Sequence, residues 1–252
     1  MSTEKSLLTY EDISTSMKRD TKMEGLQIPI GIALNGSIRM AELEIYKSSS
    51  HMLLCGTVGS GEMNALQFVL RGLLDLYKRE IGISCISGNA EGIATVRRIL
   101  HNAKSAPSTY LMMECGTVEA LDNALHSVLG LAEVKNDRYS PEIIILDDID
   151  SVLRTHPGRF HNVLAALAYC APRRNIHILY NVQVGMDILG ALPMNPIEFG
   201  LVCATRVSQE SSIQLFGSTI ASKEGGTRKY GDITYKYKDT VERITVPFCP
   251  YH

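Results

Sequence analysis

Between an apolar run, Met52 to Cys55, and an amphipathic stretch that begins at Asn64, the chain reads Gly56-Thr57-Val58-Gly59-Ser60-Gly61-Glu62-Met63. A buried strand feeding a glycine-rich turn that opens a helix fits a small set of layered α/β architectures. The spacing matches the phosphate-cradling pattern G-x-x-x-x-G-K-[S/T] up to its last two positions. Gly56, Gly59 and Gly61 allow a tight turn and close backbone approach. The lysine position holds Glu62, however, and the position of the magnesium-binding hydroxyl holds Met63.

The exchange has a size. Two unit charges ~4 Å apart interact by about 4 kcal/mol at an effective dielectric near 20. Replacing attraction with repulsion at a triphosphate therefore costs several kcal/mol. Met63 brings no oxygen to a metal that demands oxygen ligands. The first turn of a helix carries unpaired N–H groups and a positive dipole end. Glu62 is thus expected to fill, as a self-ligand, the field that would otherwise hold phosphate. Taken alone, the loop also reads as a plain glycine-rich turn without a nucleotide.

The rest of the chain alternates. Strand-like runs occur at Met52–Cys55, Ile81–Ser87, Tyr110–Cys115, Ile143–Asp147, Ile176–Val182 and Leu201–Arg206. Amphipathic stretches lie between them, with Leu66, Val69, Leu70, Leu73, Leu74 and Tyr77 on one helical face of the first. Near-continuous apolar strands alternating with helices predict a mostly parallel sheet covered on both faces. Met52–Cys55, Ile143–Asp147 and Ile176–Val182 are expected side by side at its centre. Ahead of the loop, Ile28 to Leu34, Asn35-Gly36 and the alternating Ile38, Met40, Leu43 and Ile45 predict a hairpin. After it, Ile233–Tyr237 and Val241–Val246 predict two edge strands. Residues 1–24 are polar and Ser/Thr-rich, and read as a linker or N-terminal extension to a domain spanning 25–252.

Ile143-Ile-Ile-Leu-Asp147-Asp148 is a second signature, an apolar strand ending in two acids. In an ATPase the first acid, Asp147, holds magnesium through water, and the second, Asp148, orients or deprotonates the attacking water. The alternative is a strand whose acids cap the next helix, which Asp150 would start. Gln183, at the end of the following apolar strand, stands where a sensor of the γ-phosphate would sit; a loop glutamine is the other reading. With the lysine lost, Asp147, Asp148 and Gln183 are read as vestigial catalytic residues, and Gly56 to Met63 as a degenerate phosphate loop.

The bulk numbers exclude several classes. A net charge of −2 does not favour nucleic acid. The six cysteines form no C-x-x-C pair and read as buried thiols rather than a metal site. No run approaches the ~18–20 apolar residues of a membrane span, and Met1 to Lys22 lacks a signal-peptide core.

Together these elements give a resemblance. Ile28-Pro-Ile-Gly-Ile, His51-Met-Leu-Leu-Cys-Gly-Thr-Val-Gly-Ser-Gly, Ile143 to Asp148 and Arg174-Asn-Ile-His-Ile-Leu running to Gln183 carry it, with Ala221, Gly225 and Gly226 in the tail. Over residues 25–250 the chain resembles the FtsK/SpoIIIE-type ATPases, in particular the tandem modules of EssC/EccC-like membrane ATPases of type VII secretion. The resemblance implies a RecA-like P-loop NTPase core within a longer, membrane-anchored cytoplasmic chain. Its implied partners are neighbouring ATPase modules of the same chain and small helical secreted substrates, with no membrane insertion by this segment. The departures at Glu62 and Met63 point to a non-hydrolysing module used for substrate recognition or regulation. It would need no cofactor, with ATP and magnesium bound only if some nucleotide affinity survives. The alternative is an active ATP-hydrolysing module of a protein-secretion or DNA translocase.

Overall fold

The computed structural model describes residues 8–103, 107, 110–134, 140–183, 197–222 and 231–250. Six strands build the parallel part of one sheet: β3 (Met52–Gly56), β4 (Gly82–Ser87), β5 (Tyr110–Glu114), β6 (Glu142–Asp147), β7 (Ile176–Gln183) and β8 (Leu201–Ala204). Their order is β8-β3-β7-β6-β4-β5, so the three strands expected together at the centre are neighbours. Parallel strands need crossovers, and helices α2 (Glu62–Tyr77), α3 (Ala90–Asn102), α4 (Val118–Val134), α5 (Asp150–Thr155) and α6 (Pro157–Cys170) supply them.

Side chains alternate across the sheet as the two-residue period requires. Met52 and Leu54 of β3, with Ile143 and Ile145 of β6, enter the core beneath α2 and α3. Leu53 and Cys55, with Ile144 and Leu146, enter the opposite core beneath α4, α5 and α6. Both faces are covered, and this is why these strands show no polar alternation in sequence. Of the six cysteines, five are buried and Cys170 is half-buried, and all are free thiols.

The hairpin forms from β1 (Leu26–Ile32) and β2 (Ile38–Leu43), turning through Gly36 at φ +81°. Leu34, expected in the strand, projects from that turn almost fully exposed. The last strands, β9 (Asp232–Tyr237) and β10 (Thr240–Thr245), lie along the edge of the parallel part, pairing antiparallel from β8 outward. They do not end the sheet, because β1 pairs with β10 at Ile32 and Thr245 and the hairpin covers them. Among the described residues the result is a single ten-stranded sheet whose outer strands are β2 and β5. A further helix, α7 (Gln209–Phe216), comes after β8; its N-cap Ser208 accepts from Ser211 N and its C-cap is Gly217 in the left-handed region.

Ahead of the hairpin, the short helix α1 (Tyr10–Ser14) packs on α2. Tyr10 is buried edge-on to Phe68, its hydroxyl donates to Asp75 at 2.6 Å, and Arg71 lies over its ring. Thr9 bridges to Phe248 near the other end of the chain.

Helix α2 meets β1 where Gly72 faces the Pro29 ring, and a Cβ on Gly72 would stand 2.3 Å from Pro29 Cγ. Gly72→Ala should lower stability by about 1–3 kcal/mol through overpacking. At Gly130 of α4 a Cβ meets nothing within 4 Å. Gly130→Ala should instead raise stability by about 0.5–1 kcal/mol. Urea midpoints of the two variants, moving in opposite directions, check the contact.

Candidate functional site

The glycine-rich loop sits between β3 and α2 at the C-terminal ends of the parallel strands, the usual ligand position in such sheets. Gly59 and Gly61 adopt φ of +75° and +95°, conformations open to glycine. At Gly56 the reason is close approach: an added Cβ would lie 1.9 Å from Thr205 Oγ1 and 2.7 Å from Ser60 Oγ. These two hydroxyls bond each other at 2.6 Å, so the protein's own side chains lie against the loop at Gly56. Thr57 N donates to Arg206 O and Ser60 N donates back to Thr57 O. Two loop amides are therefore spent internally, and Val58 is thrust outward, 77% exposed.

Glu62 opens α2 and is buried, 3% exposed. It does not act as a self-ligand on the loop amides. Its carboxyl points toward Asn181, Asp147 and Asp148, and Oε1 has no hydrogen-bond partner. Burial chiefly, then the two aspartates, push its pKa up to about 7, against a hydrogen bond from Asn181 that lowers it. Met63 is half-buried and packs against the hydrophobic core, so no oxygen stands in for the usual hydroxyl.

Asp147 ends β6 with both oxygens engaged. Ser87 Oγ donates to Oδ2 at 2.8 Å and Asn181 Nδ2 donates to Oδ1 at 2.7 Å. Its pKa is raised, again mainly by burial. Asp148 takes a left-handed φ of +49° and accepts from Asn89 Nδ2 at 2.6 Å. Asn89 also caps α3, accepting from Gly92 N. The acids do not cap the next helix: Asp150 begins α5 without a side-chain cap and accepts from the Tyr180 hydroxyl at 2.6 Å. Gln183 lies at the end of β7 opposite Gly56 and is placed by its backbone alone; its side chain falls outside what is described.

The structure thus brings Gly56 to Met63, Asp147 and Asp148 together at the strand ends. It adds residues that sequence reasoning missed: Ser87, Asn89, Asn181 and Thr205, all on or just after parallel strands. Gly88 and Gly92 belong with them. A Cβ at Gly88 would meet Asp148 O at 2.1 Å, and one at Gly92 would meet Asp147 Oδ2 at 2.0 Å. The run Ser87-Gly88-Asn89-Ala90-Glu91-Gly92 carried that signal as a second small-residue turn between strand and helix.

ATP with magnesium fits this donor set poorly. The position aimed at phosphate is a carboxyl, the metal's hydroxyl is a thioether, and the acid that would hold the metal's water already has two donors. Among the described residues no group of three or more His, Cys, Asp or Glu is arranged to hold a metal.

No family model matches the chain, and no curated protein matches it in sequence. Solved structures do match in fold. The cytoplasmic domain of the type VII secretion ATPase EccC of Thermomonospora curvata superposes with a TM-score of 0.69 at 15% identity, over 91% of this chain and 29% of that one. The same organism's EccC ATPases 2 and 3, in complex with a signal sequence peptide, give 0.66 at 14% identity, over 96% of this chain and 43% of that one. The pCW3 conjugation coupling protein TcpA, solved with ATPγS, gives 0.66 at 13% identity over 92% and 69%. The chain spans less than half the length of either EccC structure. The fold is that of a RecA-like P-loop ATPase, similar to the modules of EccC and EssC.

The buried carboxyl makes a pH prediction. Glu62 binds its proton more tightly when folded, with a pKa of about 7, than at its ordinary 4.5. Its contribution to stability is fully present below 4.5 and is lost as pH rises through about 7. At full ionisation the loss is about 3 kcal/mol. Glu62→Gln should remove it, leaving a variant more stable than the parent by most of that amount already at about pH 7 and by nearly all of it at about pH 8. Thermal melts of both proteins at about pH 5 and about pH 8 test this; parallel losses would show that Glu62 holds no proton.

Proposed function

We propose that this chain is a degenerate P-loop ATPase module that does not hydrolyse ATP. It works in a type VII protein secretion motor, in substrate recognition, in regulation of neighbouring ATPase modules, or in both. The burial of Glu62 at the root of the phosphate loop carries the first part. A carboxyl there faces two further acids, and no cation among the described residues offsets them. A triphosphate would bring more negative charge to the one P-loop position that normally neutralises it.

The second part is supported by the fold shared with EccC and EssC, whose structures include several ATPase modules and, in one case, a bound signal sequence peptide. In this reading the chain is a cytoplasmic module of a membrane-anchored protein and contributes no span of its own. Among the described residues no helix is long and apolar enough to cross a membrane. Asp147, Asp148 and Gln183 are then remnants of a hydrolytic site, and the loop from Gly56 to Gly61 keeps only its shape.

Calorimetric titration of the chain with ATP and magnesium is the test. The expected result is binding weaker than about 1 mM and no release of phosphate. Micromolar affinity in the unchanged chain would overturn the proposal. Glu62→Lys combined with Met63→Ser should restore measurable nucleotide binding, because the glycines that shape the loop are all retained.

A further inference from the structure

A second feature lies at the far end of α3 from the phosphate loop. A surface cavity of about 680 Å³ opens between the last turns of α3 and Pro107. Arg97, Arg98 and His101 stand around it, and Leu100, Ala103 and Pro107 form its apolar wall. The three basic side chains are exposed. Positions 97, 98 and 101 share one helical face, as the three- and four-residue spacing requires. Among the described residues no carboxylate pairs with Arg97 or His101. A volume of this size falls within the ~300–1,000 Å³ of ordinary ligand pockets.

The helix dipole accounts for part of this. Basic groups are favoured in a final turn, and His101 lies there. The two arginines precede that turn, where the dipole effect has faded. Their guanidinium forks match carboxylates in two-pronged geometry. The apolar wall beside them suits an aliphatic or aromatic side chain rather than a sugar-phosphate backbone. Nucleic acid generally needs a longer basic track, and the chain as a whole carries −2. A second copy docked face to face about a two-fold axis would set like charges together.

The geometry points to a docking site at the C-terminal end of α3 for a short acidic segment of a partner protein. One carboxylate lies across Arg97 and His101, and a neighbouring apolar side chain rests on half-buried Ala103, beside the buried Leu100 and Pro107. This site is separate from the phosphate loop and does not depend on the proposed loss of hydrolysis.

The probe is a fluorescein-labelled peptide, Gly-Glu-Leu-Glu-Phe-Glu-Gly, titrated with the whole chain and monitored by anisotropy. Saturable binding is expected, weakening as salt is raised from low to physiological strength. Arg97→Glu with His101→Glu should weaken it at least about tenfold. Arg97→Ala with His101→Ala serves as a milder second variant whose melting should match the parent. Arg79→Glu, on an exposed turn elsewhere, should leave binding unchanged. A peptide with glutamine in place of each glutamate should not bind. Absence of saturable binding up to ~1 mM, or binding indifferent to both double variants, would overturn the assignment. So would a duplex DNA oligonucleotide that binds more tightly than the peptide and is lost in the same variants.

Discussion

Glu62, Asn181 and Asp147 meet beneath the phosphate loop, and much of the molecule's local geometry depends on how they coexist. Two carboxyls are buried here, with a third, Asp148, close by, and no cation among the described residues offsets Glu62 or Asp147. A buried charge without a partner is costly, and a buried group usually neutralises instead. Asp147 answers with two donors, Ser87 and Asn181. Glu62 answers with a pKa raised to about 7, so that it carries a proton below neutral pH. Asn181 is the shared member, so the C-terminal end of β7 ties the start of α2 to the end of β6. In a working ATPase that junction is where charge is balanced by lysine, metal and phosphate; here a side-chain amide and a hydroxyl hold Asp147, and burial raises the pKa of Glu62.

The same crowding accounts for the glycines that frame the junction. Asp147 and Asp148 lie so close to Gly88 and Gly92 that a side chain at either position would collide with them. Asn89 then joins two roles, capping α3 and holding Asp148 in a left-handed conformation open to few residues besides asparagine, aspartate and glycine. Among the described residues the site is a packed junction of strand ends.

The fold is largely legible in the sequence because its signals are local. Met52–Cys55, Ile143–Asp147 and Ile176–Val182 announce themselves as strands buried on both faces, and the glycine-rich turn dictates the helix after the first of them. The loop and the two acids are legible for the same reason, being contiguous motifs. Asn181, Ser87 and Thr205 are not, because each acts only across strands that are distant in sequence. The direction of the Glu62 side chain is also hidden. Dipole reasoning turns it toward the loop amides, whereas the amides of Thr57 and Ser60 find carbonyls of their own and the carboxyl turns inward. The last two strands can be recognised individually, but the partner that covers them, β1, lies some two hundred residues away in the chain.

That same distant pairing has a mechanical side. Thr9 bridges to Phe248, Tyr10 N donates to Phe248 O, and Phe248 N donates to Leu8 O. These two segments run side by side, stitched together by backbone bonds. Because the bridge is parallel, tension applied at these two segments in opposite directions would load the short stitch between residues 8–10 and 248 in shear.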